Sequence, residues 1–346
     1  MAQNLKTFFD KKTILVTGGA GSIGSELVRH LVKNYSPRAV RVFDSNETAL
    51  FELEQEFGVG NSPIRLFVGD VRDRDRLRMA MDGADLVFHA AALKHVYLNE
   101  YTPAEAVKTN VLGTQNVIDM ALEKNVERVI NISTDKAVDP TSVMGTTKLL
   151  AEKLTTAANG QRGSRRTVFA SVRFGNVLAS RGSVLPLFVS QIRKGGPVTV
   201  TDPKMTRFFM TIPAAVSLIL EATARASGGE LFILRMPSMK IGDLAEAVVE
   251  KYAPRLGRKS SDIKIKVIGA RKGEKMHESL LTEHERLFAR MSGGLICIHP
   301  EILSRHGTVP APEGRPADWV EDALVSSRTN NLSKAEVRKM LDEGEG

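Results

Sequence analysis

The chain has 346 residues, of which 42% are hydrophobic and 25% charged, with a formal net charge of +8. That length exceeds one average domain and suits a large α/β unit with a smaller companion. The single cysteine, Cys297, excludes an internal disulfide framework and fits a reducing cytoplasm, where we expect the protein to work.

No apolar run approaches the roughly 18 residues that span a bilayer, and Met1 to Asp10 lacks the apolar core of a secretory signal. No membrane insertion is expected. The lysines and arginines are interleaved with Asp and Glu instead of forming a basic block with aromatic partners, so nucleic acid is set aside. An anionic small substrate fits the charge better.

Lys12 to Thr17 reads as a strand, the loop Gly18-Gly19-Ala20-Gly21-Ser22-Ile23-Gly24 follows, and Ser25 to Val32 runs at helical spacing. Between strand and helix the glycines acquire meaning. Gly18 permits the tight turn, Gly21 lets backbone amides (with Ser22 and Ile23) approach a pyrophosphate, and Gly24 lets helix pack on strand. The next strand, Ala39 to Phe43, ends in Asp44, whose carboxylate can accept both ribose hydroxyls and would repel a 2′-phosphate. Ser45, Asn46 and Glu47 bring no offsetting positive charge, so NAD is expected over NADP, with Asn46 among its contacts. A third strand, Ile64 to Val68, leads to Asp70 and Val71, which bracket the adenine unless Asp70 caps the next helix. A fourth, Leu86 to His89, opens into Ala90, Ala91 and Ala92, small enough to admit the cofactor backbone. Lys94 and His95 then face the substrate side, and Asn110 holds a water or a carbonyl near the site.

Arg128 to Ile132 reads as a buried parallel strand, followed by Ser133-Thr134-Asp135-Lys136 and then Met144 to Lys148. A hydroxyl, a carboxylate and an amine stand in sequence at a strand's carboxyl end, where α/β sheets collect reactive groups. A purely structural reading, in which Ser133 and Thr134 end the strand and Asp135 caps a turn, also accounts for the tetrapeptide. Past Arg173 the pattern loosens. Asn176, Arg181 and Arg207 stand in loop-like contexts where an arginine fork can clamp phosphate or simply lie on the surface. Thr211 to Ala224 reads as a helix, Leu231 to Leu234 as a strand rejoining the sheet, and Ile263 to Val267 as a further strand. His277 and Glu278 resemble half a metal site without a second half, so no metal is expected. The tail carries Pro310, Pro312 and Pro316, then a helix from Ser333 to Leu341 that serves as a packed arm or subunit contact.

Together these motifs resemble an extended short-chain dehydrogenase/reductase that acts on nucleotide sugars. Thr134-Asp135-Lys136, Ala90 to Val96, Val172 to Val177, Arg181 to Pro186, Thr206 to Thr211 and Gly273 to Glu278 make Ile14 to about Glu283 similar to the UDP-N-acetylglucosamine 4,6-dehydratases of bacterial capsule, flagellin and glycan synthesis. The resemblance implies an α/β fold, a Rossmann-type doubly wound parallel sheet with a smaller carboxyl-terminal substrate-binding domain. Residues 1–173 would form the NAD-binding part with a return segment at 206–236, and 174–205 and 237–346 the UDP-sugar-binding part and tail. One departure stands out: Met144 occupies the position of the superfamily's catalytic tyrosine and cannot move a proton. Some branches of the dehydratases also carry methionine there.

The reaction so implied is removal of water across C5 and C6 of UDP-N-acetylglucosamine, with NAD recycled internally. Thr134 would bond the C4 oxygen and Lys148 the nicotinamide ribose. Lys136, its ammonium disfavoured by burial and by nearby positive charge, would take the C5 proton. Asp135 would protonate the departing C6 hydroxyl and is first choice for the C4 hydroxyl proton. Lys94, His95, Arg173, Asn176, Arg181, Arg207, Arg271 and Glu274 would hold the UDP-sugar. Retention or inversion at C5 stays open, and a homo-oligomer is expected. Two alternatives remain: a UDP-sugar 4-epimerase, which needs no base at C5, and a non-catalytic NAD-responsive binding protein, suggested by Met144.

Overall fold

The computed structural model describes residues 5–58, 62–292, 294–300, 315–316, 324–329 and 331–343. The chain is an α/β protein, and among the described residues its main sheet has ten strands. Its strands are β1 (Thr13–Thr17), β2 (Ala39–Asp44), β3 (Ile64–Val68), β4 (Leu86–His89), β5 (Arg128–Thr134) and β6 (Val168–Phe174), joined by β10 (Leu231–Ile233) and by β13 (Ala289–Ser292), β14 (Leu295–Ile298) and β15 (Arg315–Pro316). Across the sheet the order is β15-β13-β14-β10-β6-β5-β4-β1-β2-β3. From β3 to β10 every neighbouring pair is parallel, and β14, β13 and β15 extend the sheet antiparallel.

Both faces of this sheet are covered, which explains why its strands read as continuous apolar runs. Successive side chains alternate between faces. Ile14 and Val16 join Leu27, Leu31 and Val216 in one core, whereas Leu15 joins Leu77, Met81 and Val117 in the other. The helix Ser22–Asn34 lies on the first face beside the helix Ile212–Arg225. Chain order reverses at β1, which is flanked by β2 on one side and β4 on the other. A crevice at the carboxyl ends of β1 and β4 follows from that reversal.

A smaller part has its own core, in which Phe188, Ile192, Leu244 and Val248 meet Val337 and Leu341. It contains two small sheets. One pairs β7 (Asn176–Val177) and β11 (Ser238–Lys240) with β9 (Thr206–Met210). The other pairs β8 (Val198–Val200) with β12 (Ile265–Val267). The expected return segment 206–236 therefore divides: the helix Ile212–Arg225 and β10 lie with the main sheet, but β9 pairs outside it. The strand expected at Ile263 starts two residues later. Pro310 and Pro312 lie outside the described residues. The carboxyl-terminal helix, Lys334–Glu343, packs on the helix Ile241–Arg255 of the same chain, where Lys334 pairs with Glu250 at 2.6 Å. Among the described residues no helix is long and apolar enough to cross a membrane.

Candidate active site

The crevice opens into a cleft of about 870 Å³ that continues into a second lobe of about 280 Å³. Both lobes are lined by Lys136, Asn176, Gly182, Ser183 and Val184, so Lys136 stands at their junction.

The larger lobe begins at the glycine turn. Gly18 has φ +65, and a Cβ there would sit 2.6 Å from the Ala91 nitrogen. A Cβ on Gly24 would meet the Gly18 carbonyl oxygen at 2.2 Å. The turn thus closes only around hydrogen. Gly21, Ser22 and Ile23 line the lobe beside it, as do Ala90, Ala91 and Ala92. Asp44 lies at the end of β2 and accepts from the amides of Ala20 and Asn46, both at 3.0 Å, tying β2 to the glycine turn. Asp70 and Val71 line the same end. The Arg72 guanidinium holds the Asp70 carboxyl below the usual range and also pairs with Glu105 at 2.8 Å.

The helix Val143–Gln161 starts where the Ser142 hydroxyl accepts from the Gly145 amide at 3.2 Å. Gly145 lets it press against the turn after β5, since a Cβ would lie 2.3 Å from the Lys136 carbonyl oxygen. Met144 and Lys148, one helical turn apart, consequently share a wall of the lobe. Lys148 donates to the Ile132 carbonyl at 2.6 Å, and burial pulls its ammonium down to about 8 against the pull of Glu152. His89 bridges Thr17 and Thr114 at 2.8 and 3.0 Å; burial, then Lys148, pushes it down to about 3, so it is a neutral packing group.

The reactive turn itself is arranged differently from its order in the sequence. Thr134 and Lys136 line the cleft, while Asp135 is fully buried behind them. Its Oδ1 accepts from the Thr134 hydroxyl and the Lys136 ammonium, each at 2.9 Å. Its Oδ2 has no partner, and a Cβ on Gly175 would come within 3.0 Å of it. Lys136 also donates to Asn176 Oδ1 at 3.0 Å, and Glu278 Oε1 lies 3.8 Å from its Nζ. Burial opposes the Lys136 ammonium, but Asp135 and Glu278 outweigh it and hold its proton above the ordinary lysine range. The expected neutral lysine is therefore corrected for the protein alone: two carboxylates hold the charge that burial would have removed.

Around the second lobe, Arg271 and Glu274 form a turn in which the Arg271 amide donates to Glu274 Oε2 at 3.2 Å, and both line the wall. The lobe is fixed to the larger part by Lys275, which donates to the Val138 carbonyl at 2.6 Å. Arg207 lines this lobe but spends Nη1 on the carbonyls of Thr206 and Met276, at 2.8 and 3.2 Å. Arg181 reaches across the larger lobe, its amide donating to the Ser22 hydroxyl at 2.9 Å and its carbonyl accepting from Lys94 Nζ at 2.6 Å. Burial, then Arg181, lowers the Lys94 ammonium. His95, lowered by burial and then by Lys94, lies under Gly182.

Three expected contacts do not front the cleft. Arg173 is completely buried. It donates to Glu152 at 3.0 and 2.6 Å, to Glu285 at 2.8 and 3.0 Å and to the Leu280 carbonyl at 2.9 Å, leaving nothing for a ligand. Asn46 caps the helix Glu47–Phe57, accepting from the Ala49 amide at 3.0 Å. Asn110 lies in a widened helical turn, Val107–Leu112, of a kind frequent at functional sites. Its amide holds both backbone groups of Leu93, a wall residue of the larger lobe, at 2.8 and 3.0 Å, so it holds a carbonyl near the site as expected without itself lining the cleft. Two polar groups that the sequence reading named without a role in binding or catalysis also front the lobes. Ser133 lines the larger lobe with an unpartnered hydroxyl, and Glu278 lines the smaller with an unpartnered Oε2. Among the described residues no group of His, Cys, Asp and Glu is placed to hold a metal.

A protein of Methanocaldococcus jannaschii, named an uncharacterized membrane protein, is 60% identical over 82% of this chain and 85% of its own. A UDP-N-acetylglucosamine 4,6-dehydratase (inverting) of Campylobacter jejuni is 44% identical over 98% of this chain and 99% of that one. A UDP-glucose 4-epimerase of Rickettsia canadensis is 37% identical, covering 96% of each. The X-ray structure of Pen from Bacillus thuringiensis superimposes with a TM-score of 0.88 at 42% identity, over 97% of this chain and 98% of that one. Residues 14–298 match the family described as polysaccharide biosynthesis protein, and the chain belongs to that family.

Proposed function

We propose that the chain is a nucleotide-sugar 4,6-dehydratase that converts UDP-N-acetylglucosamine to its 4-keto-6-deoxy product, with NAD recycled in each turnover. The observation that carries the reading is Lys136 at the junction of the two lobes, beside a hydroxyl that is hydrogen-bonded to a buried carboxylate. The larger lobe fits NAD. Gly18 and Gly24 form a cradle that any Cβ would fill, Asp44 stands where the adenosine ribose would lie, and Arg72 is already paired with Asp70 and Glu105, so it has no charge to spare for a 2′-phosphate. Held there, NAD would supply the acceptor for the C4 hydride and return that hydride to C6.

The residues of the chain would do the proton work. Thr134 faces the C4 hydroxyl and passes its proton to Asp135, 2.9 Å behind it. The C4 ketone acidifies the C5 proton, which Lys136 takes once neutral. Asp135 returns its proton by the same hydroxyl to the C6 oxygen, which leaves as water. Lys136 then gives its proton back to C5, so the only net loss is one water. Met144, almost fully buried, moves no proton and keeps water from that wall. Lys148 bonds the nicotinamide ribose. Asn176, Arg181, Arg207, Arg271, Glu274, Lys94 and His95 line the path for the UDP-sugar. A cytoplasmic homo-oligomer completes the reading, supported by the lone buried cysteine and by Tyr97, Leu98 and Tyr101, exposed at 52%, 58% and 70%.

The second reading is a UDP-sugar 4-epimerase, which the name of the Rickettsia relative favours. It gives Lys136 no proton to take. Incubation with UDP-N-acetylglucosamine in deuterium oxide, followed by NMR, separates the two. Dehydration yields a C6 methyl group with deuterium at C5. A C4 epimer without deuterium at C5 would replace the proposal.

A further inference from the structure

Lys136, Asp135, Glu278 and Arg207 form one cluster, buried except for the Lys136 side chain that faces the cleft, and drawn from three places in the chain: the turn after β5 supplies the first two, β9 supplies Arg207, and the segment after β12 supplies Glu278. Glu278 is 3% exposed. Its Oε1 lies 3.8 Å from Lys136 Nζ and 3.7 Å from Arg207 Nε, while its Oε2 has no partner. With all four groups ionised the formal charges sum to zero. Before C4 is oxidised, the proposed reaction needs Asp135 as an anion, to accept the C4 hydroxyl proton, together with Lys136 as a neutral amine poised for C5. Releasing the lysine proton to solvent would leave the buried cluster with a net negative charge, which is costly in a low-dielectric interior. Moving that proton to the second carboxylate keeps the cluster neutral.

We propose that Glu278 is a positioning residue that governs the proton on Lys136, holding the ammonium while ionised and freeing the amine when it takes the proton itself. The step moves one proton from Nζ to Glu278 Oε1, which must close from 3.8 Å to hydrogen-bond distance for the transfer, and breaks no other bond. Burial, then Asp135, raises the Glu278 carboxyl against the charges of Lys136, Arg207 and Lys275, which suits it to accept that proton. Asn176, the remaining polar neighbour of Nζ, carries no charge and cannot substitute. The inference rests on the proposed role of Lys136 as the base at C5.

The test is the titration of Lys136 in the NAD-loaded protein, read by NMR of carbon-13-methylated lysines, with the Lys136 signal assigned through Lys136→Arg. Glu278→Gln removes an opposite charge at close range and should lower the midpoint by about one pH unit. The pH limb of C5 deuterium exchange should move the same way. Arg207→Gln removes a like charge and should move the midpoint up, which keeps the test open if Glu278→Gln fails to fold. A midpoint indifferent to both substitutions would overturn the inference even if the wild-type protein dehydrates its substrate. Failure of the wild-type protein to exchange C5 would instead overturn the role of Lys136 as base.

Discussion

Among the described residues, two ionic clusters are built on a buried arginine, and they are finished to different degrees. At Arg173 every guanidinium nitrogen is engaged, by Glu152, Glu285 and the Leu280 carbonyl, at 2.6 to 3.0 Å. At Lys136 and Arg207 the corresponding carboxylates are looser. Glu278 stands 3.7 and 3.8 Å from its cations, and Asp135 Oδ2 and Glu278 Oε2 have no partner. An unpartnered buried carboxylate oxygen costs stability. The saturated cluster joins β6 to the helix that carries Met144 and Lys148 and to the turn at Glu285. The unsaturated one lies on the cleft, with capacity left for a substrate's protons. Saturation thus separates the structural cluster from the reactive one.

That contrast can be broken experimentally. The largest effect is expected at Arg173. Replacing it with Met leaves two carboxylates buried without a counter-charge and should destabilise the fold by about 3–5 kcal/mol in urea titration. A loss near zero would show that the saturated cluster is dispensable. Lys136→Ala should do the reverse, cutting turnover by about 10²-fold or more while leaving bound NAD, measured after denaturation, unchanged. Loss of NAD along with activity would make Lys136 a structural residue like Arg173.

A third effect concerns His89, buried neutral between two threonines and pushed down to about 3 from the ordinary 6.5. The unfolded chain takes up a proton below pH 6.5 and the folded one does not until about 3. This group's contribution is therefore present above pH 6.5 and is lost as pH falls through that window. Thermal denaturation against pH should show the loss, and His89→Asn should remove its share of the slope. The smallest effect is at Asn46: replacing the cap with Ala should cost about 1 kcal/mol and leave NAD affinity unchanged. A weakened NAD affinity would return Asn46 to the cofactor site.

How much of this was legible in the sequence depended on whether neighbours in the chain were also neighbours in the cleft. The glycine turn, the alanines after β4 and the Thr134 to Lys136 turn are contiguous, and strand and helix patterns place each at a strand's carboxyl end. Within the turn the order misled. It forms a single tight helical turn, Asp135–Ala137, in which successive side chains point about 120° apart, so Asp135 faces away from the cleft that Lys136 lines. Arg173 was misplaced for a related reason. A strand pattern shows that Val172 and Phe174 share a face, but not that the opposite face holds Glu152 and Glu285. Glu278 was named but read only with His277, as half a metal site, because nothing along the chain shows that it lies beside Lys136. The available signal was a carboxylate closing a motif that begins with the glycine and glutamate of a binding turn.

The most direct test follows the hydrogen on C4. UDP-N-acetylglucosamine deuterated at C4, incubated with the protein in ordinary water, should give a product whose C6 methyl group carries that deuterium, seen by NMR, with none released to solvent. Deuterium remaining at C4 of an epimerised sugar, or substrate recovered unchanged from NAD-loaded protein, would contradict dehydration at this site.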